Sequence, residues 1–262
     1  MVVSGAVREP PDISPSAVIR SLRLRNVWGV LGRAEVLKLF KSGAPAETDY
    51  SLKPFIETNS IFVHIPKTGG VSVSRALYGC LGMGHLALAD YRLFLRPRAF
   101  DRMFKFTFVR NPFDRLHSAY HFLRSGGMGE LDVEFARTVL DKFPNFERFV
   151  MDGLELDEAS SFWHFRQQTS FLDCEAGRLV GLDFVGHFES LGRDFDQLRA
   201  RVNPSARLPH FNRTDGRPNY RRAYTSEMVD RVSEVYAPAL DVLGYAFDGA
   251  ERPVKLGRRA AA

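Results

Sequence analysis

Cysteine is scarce in this chain: only Cys80 and Cys174 occur in 262 residues. Two thiols allow at most one disulfide, which excludes a disulfide-held scaffold and fits a reducing compartment. Neither cysteine lies close to a His-rich run, so no metal-ligand cluster of the usual spacing is present. No uninterrupted apolar run approaches the ~20 residues that a membrane span requires. A signal-peptide pattern is lacking too, because Arg8, Glu9, Pro10 and Pro11 stand where its apolar core would be. Together these absences give the expectation of a cytoplasmic protein. Internal repeats and low-complexity tracts are also absent.

What is present has the balance of an ordinary globular chain: 45% hydrophobic and 26% charged residues. The length suits one large domain with extensions. A net charge of +5 favours anionic ligands. The basic residues are spread along the chain, however, and do not form the concentrated patch expected of a nucleic-acid binder.

The most informative stretch is N-S-I-F-V-H-I-P-K-T-G-G-V-S-V-S-R-A-L-Y, Asn59 to Tyr78. Ile61, Phe62, Val63 and Ile65 form an apolar run of the length of a buried parallel strand. Pro66 stops it, Gly69 and Gly70 follow, and Val73, Ala76, Leu77 and Cys80 then recur at helical spacing. The pattern predicts a strand, a glycine-containing turn carrying Lys67, and a helix. Such a turn presents unpaired N–H groups at the positive end of a helix dipole and is an anion site. The residue order differs from G-x-x-x-x-G-K-[ST], in which the lysine follows the second glycine. A plain turn with a solvated lysine is the alternative reading.

A second unit of the same kind is K-F-T-F-V-R-N-P-F-D-R-L-H-S-A-Y, Lys105 to Tyr120. Phe106, Phe108 and Val109 predict a buried strand, Asn111 an N-cap, Pro112 the first helical position and Asp114 an acid in the first turn. Arg110 then stands at the carboxyl end of a strand, where open α/β sheets bind ligands, with Ser118 about two turns along the helix.

Elsewhere the signals are coarser. Residues 16–40 read as one or two basic amphipathic helices, for packing or for peripheral membrane contact, and 42–58 as a connector. Gly82 and Gly84 are expected to end the first helix. His164–Leu172 is expected to be helical, Leu182–Leu191 a third strand leading into a helix, and Ser226–Leu243 a single closing helix with Ser226 as a cap. Leu208–Arg222 is a basic loop that covers a ligand or faces solvent.

The two loops together resemble the donor-binding motifs of carbohydrate-type sulfotransferases, which use PAPS (3′-phosphoadenosine 5′-phosphosulfate). Agreement continues through G-H-x-x-x-x-D, V-G-H-F-E-S-L, L-P-H-F-N-R and a terminal L-G-Y, over roughly residues 59–247. The resemblance implies a P-loop-like three-layer α/β fold with a short parallel sheet flanked by helices. With the composition on either side of it, the expected division is an N-terminal helical extension (1–58), a sulfotransferase domain (59–249) and a mobile basic tail (250–262). By resemblance Lys67, with the main chain of Thr68, Gly69, Gly70 and Val71 and the Ser72 hydroxyl, holds the 5′-phosphosulfate; Arg110 and Ser118 hold the 3′-phosphate. Val71 replaces a threonine common in relatives, which removes a hydroxyl and keeps the N–H.

The implied reaction is in-line sulfuryl transfer from PAPS to a hydroxyl of a carbohydrate or similar acceptor, neutral or anionic, with no metal and no nucleic acid. Lys67 neutralises charge on the leaving oxygen, and a neutral imidazole serves as base. His85, in G-H-L-A-L-A-D, matches the position of the catalytic histidine in heparan 2-O- and 6-O-sulfotransferases. Other candidates are His164, which with Gln167 and Gln168 either lines the acceptor cleft or hydrogen-bonds within the core, and Glu189; His64 reads as a core residue, and His117, beside Ser118, either touches the cofactor or, the preferred reading, faces away. A nucleotide-dependent kinase and a non-catalytic polyanion-binding protein of the same fold are the alternatives.

Overall fold

A computed structural model describes residues 45–208, 219–249 and 253–257. The basic helices expected within 16–40 and residues 209–218 of the basic loop lie outside them. In order, the described chain forms α1 (Lys53–Glu57), β1 (Ser60–Val63), α2 (Gly70–Tyr78), α3 (Leu88–Phe94), α4 (Pro97–Arg102), β2 (Phe104–Val109), α5 (Pro112–Arg124) and α6 (Glu130–Thr138). It continues through β3 (Asp173–Glu175), β4 (Arg178–Val180), β5 (Phe184–His187), α7 (Leu191–Val202), α8 (Ser226–Val235), α9 (Ala237–Leu243) and β6 (Leu256–Gly257).

The central sheet is parallel, in the order β1-β2-β5. Burial explains its unbroken apolar strands: all four residues of β1 and five of six in β2 are buried. Phe62 lies opposite Phe106 in register, and their rings stack at 5.0 Å. Phe108 lies opposite Gly186, where a Cβ would come within 2.4 Å of the Phe108 ring. Lys105 is the one cation inside the central strand. Its ammonium donates to the carbonyls of Phe100 (3.0 Å) and Met103 (2.6 Å) at the end of α4, which offsets the desolvation of the charge. One apolar cluster surrounds the sheet, and a second, including Phe113, Leu116, Phe149, Phe165 and Tyr236, lies against α5.

Several local expectations are corrected. The connector contains α1, whose Phe55 and Ile56 are buried with Leu52. Helix α2 ends at Tyr78, not near Gly82, because Gly79 takes a left-handed φ of 68° and donates to Arg75 O. His164–Leu172 is not helical beyond the 3-10 turn Gln168–Phe171. It leads into the hairpin β3–β4, whose Ala176 and Gly177 both take positive φ, as a tight hairpin turn requires. The third strand stops at His187. Asp194 accepts from His187 N (2.8 Å) and Ser190 Oγ (2.9 Å), and the chain turns into α7 at Leu191. The closing helix is two helices, α8 and α9. Thr225, not Ser226, caps the first, and Pro238 opens the second. Within the tail expected to be mobile, β6 pairs with the open edge of β4, and Lys255 N donates to Val242 O. Cys80 is buried and Cys174 exposed, both as free thiols. No helix among the described residues is long and apolar enough to cross a membrane.

Replacing Gly186 by alanine is expected to push β5 away from the Phe108 ring and cost about 1–3 kcal/mol. Urea unfolding should show a lower midpoint at unchanged slope; an unaltered midpoint would mean that β5 tolerates the side chain.

Candidate functional site

The turn between β1 and α2 is held in an unusual shape. Lys67 takes φ 68° and Gly69 φ 81°, and for a lysine the left-handed region costs about 1–2 kcal/mol. Hydrogen bonds over-determine it. The Thr68 hydroxyl donates to Ile65 O (2.8 Å), Arg115 Nε to Pro66 O (2.9 Å) and Arg110 Nη1 to Lys67 O (2.9 Å). Arg115 is almost fully buried, and its other nitrogens donate to Arg166 O and Trp163 O, so all of its hydrogen bonding serves to support backbone. Gly70 is required sterically: a Cβ there would lie 1.9 Å from the His64 ring. Helix α2 has no side-chain cap, so its first N–H groups, at Gly70, Val71 and Ser72, face out of the turn with no partner within the helix.

The second turn is anchored as firmly. Asn111 accepts from Phe113 N (3.0 Å) as the expected cap of α5, and its side-chain amide donates to Ala246 O (2.8 Å). Gln168 clamps the main chain of Arg110 on both sides, accepting from its N–H (3.0 Å) and donating to its carbonyl (2.6 Å). Glu189 spans Asn111 N (2.7 Å) and the Tyr245 hydroxyl (2.8 Å), so both of its oxygens brace the turn. The Arg110 guanidinium binds both oxygens of Asp114 at 2.7 Å and stacks 4.1 Å from the Phe188 ring. With Lys67 O also bonded, these contacts use three of its five N–H groups and leave two for an anion.

Lys67 and Arg110 meet in one cleft of about 700 Å³, joined there by Gly69, Phe188 and a single face of α5. That face comprises Asp114, His117, Ser118, His121, Phe122 and Ser125, spaced three and four apart along the helix. His117, expected to face away, therefore lines the cleft beside Ser118. Burial, then His121, push its pKa down to about 4. The Lys67 ammonium lies 3.7 Å above the Phe122 ring.

His85 does not line that cleft; it abuts the first turn through His64. Its ring is 4.6 Å from that of His64, and its Nδ1 lies 3.1 Å from His64 O. A carbonyl can only accept, so Nδ1 carries the hydrogen and Nε2 of the neutral ring keeps its lone pair. Burial lowers the pKa of His85, and it drives that of fully buried His64 well below its ordinary value. His164 lies in the interior, with Nε2 3.2 Å from Asp132 Oδ1 and its ring 6.2 Å from that of His85. Burial first, then the nearby cations and His85, bring its pKa to about 2. Gln167 donates to Val235 O. Of the readings open for this segment, hydrogen bonding within the interior is the one found. The described residues hold no group of three or more His, Cys, Asp or Glu side chains placed to ligate a metal ion.

Thr68, Gly70, Val71 and Ser72 occupy the turn and the first turn of α2 as expected, but the Thr68 hydroxyl is committed to Ile65 O. Arg115, Phe122, His121 and Phe188 were not singled out from sequence. Arg115 and His121 carried a findable signal, since they lie on the helix whose start and phase the Asn111–Pro112 pair sets. Gln168 acts on Arg110 from 58 residues away, and no local pattern reveals that.

The family model described as Sulfotransferase family matches residues 57–245. Neither curated proteins nor solved structures furnish a match.

The buried histidines make stability pH-dependent with a definite sign. Their folded pKa values lie below the ordinary 6.5, so the unfolded chain takes up protons that the native state refuses. Stability is full above about pH 6.5 and falls as the pH drops below it. His64 and His164 together should cost about 3 kcal/mol one unit lower. Urea midpoints measured between about pH 8 and about pH 5.5 test this; a flat profile would contradict the burial of neutral imidazoles.

Proposed function

Because the chain belongs to the sulfotransferase family, it transfers sulfuryl groups, and we propose that its donor is PAPS and its acceptor a hydroxyl of a carbohydrate or similar molecule. The observation that carries this reading is the sharing of one cleft by Lys67 and Arg110, with Arg110 bonded to the Lys67 carbonyl. A bisphosphorylated adenosine needs a cation at each end, and the two loops supply one each. The uncapped start of α2 and the two remaining Arg110 N–H groups fit an anionic donor.

In this reading the first turn, with Lys67, the N–H groups from Thr68 to Ser72 and the Ser72 hydroxyl, holds the 5′ end. Arg110 and Ser118 hold the 3′-phosphate. Arg110 needs little reorganisation, because Gln168 fixes its backbone and Asp114 its guanidinium. His85, which lies outside the cleft lining and beside the first turn through His64, is the base in this reading: its Nε2 accepts the proton of the acceptor hydroxyl as that oxygen bonds to sulfur. The Lys67 ammonium compensates the charge left on the bridging oxygen as the S–O bond to phosphate breaks. The lowered pKa keeps His85 neutral, and hence a lone-pair donor, near pH 7. Glu189 is not available as a base, since both of its oxygens are occupied in bracing the second turn.

Transfer from radiolabelled PAPS to a panel of desulfated polysaccharides tests the proposal. His85→Ala should lower turnover by about 10²–10⁴-fold, with affinity for the product PAP (3′-phosphoadenosine 5′-phosphate) retained. Lys67→Ala should abolish transfer. Near-normal turnover by the His85 variant would put the base elsewhere, and transfer by neither variant nor wild type would reject this donor and acceptor pairing.

A further inference from the structure

Among the described residues, the cleft holds fewer positive charges than its proposed ligand carries negative ones. Arg110 is neutralised by Asp114, which it binds through both oxygens, so Lys67, Arg110 and Asp114 together carry one net positive charge. A nucleotide with two phosphate groups carries about three to four negative charges near neutrality. Two further basic groups line the same space. His117 and His121 lie one helical turn apart on the cleft face of α5, with ring centroids 4.4 Å apart. Both rings rest on the uncharged Phe146, and Tyr120 packs edge-on against His121.

We propose that His117 and His121 are donor-binding residues, and that the pair takes up a proton when the bisphosphate nucleotide enters the cleft, so that affinity rises as pH falls. This rests on the PAPS reading and deepens it. Among the described residues, the charged groups facing the pair are Asp114 on the same helix, Arg110 at the end of β2 and Lys67 in the first turn. Phe146 and, from the turn after β5, Phe188 contribute no charge. Without ligand, burial and the neighbouring imidazole hold His117 near 4, and burial lowers His121 as well, so both are neutral at pH 7 and able to accept a proton. An anion beside them reverses the balance, because opposite charge within a few ångströms favours the protonated form. The ligand's own phosphates have the opposite sign: they bind best as dianions and shed protons on binding. Net uptake therefore reports the histidines.

Calorimetry of PAP binding to the intact chain near pH 7, in two buffers of different ionisation enthalpy, counts the protons. Wild type should take up about half to one proton per PAP and bind about tenfold more tightly at about pH 6 than at about pH 8. The His117→Gln/His121→Gln variant should show no uptake and less than about a twofold change over the same range. No uptake by wild type, or equal uptake by both proteins, overturns the proposal; the wild-type measurement suffices should the double variant fail to fold. Binding of PAP by neither folded protein would instead remove the donor assignment on which the proposal stands.

Discussion

The hydrogen bond from Arg110 Nη1 to the carbonyl of Lys67 ties the site together. It exists because Lys67 adopts a left-handed backbone conformation that turns its carbonyl towards the second loop. Each loop thus stabilises the other: the arginine that would grip one end of a ligand also holds the turn that would grip the other. Arg115 adds a second strut on Pro66 O from the first turn of α5. Two arginines, one just before the cap of α5 and one within its first turn, therefore set the shape of a loop more than 40 residues earlier in the chain.

Electrostatic economy runs through the rest of the site. Each buried charge is paired or bonded: Arg110 with Asp114, Arg115 with three carbonyls, Lys105 with the end of α4. The imidazoles take the other course and stay neutral, at a cost in stability below pH 6.5. In the proposed reaction that neutrality would serve His85, because a lone pair at Nε2 is what a general base needs. Histidines lining the cleft are neutral for the same reason of burial, yet they face a space shaped for anions.

Much of this was legible in the sequence where the relevant interactions are local. Both strand–turn–helix units, the Asn111 cap, Pro112 and the placement of Lys67 and Arg110 at strand ends follow from spacing and from turn chemistry. The orientation of His117 could have been read by continuing the phase of α5 from Asp114 to Ser118 and His121. What escaped depends on distant partners. Gly70 is dictated by the His64 ring, Gly186 by Phe108 and the shape of the Lys67 turn by two arginines from another strand–helix unit. The β3–β4 hairpin is short and mostly polar, too weak a pattern to register beside the helical signals around it. Its edge drew β6 out of a tail that composition alone marks as loose.

The central claim is that the two loops grip the two ends of one nucleotide. The most direct test compares the affinity of the intact chain for PAP with that for 5′-AMP, which lacks only the 3′-phosphate. Two charge-assisted hydrogen bonds from Arg110, with Ser118, predict PAP to bind at least about a hundredfold more tightly. Equal affinities would mean that Arg110 does not contact the ligand, and would contradict the account.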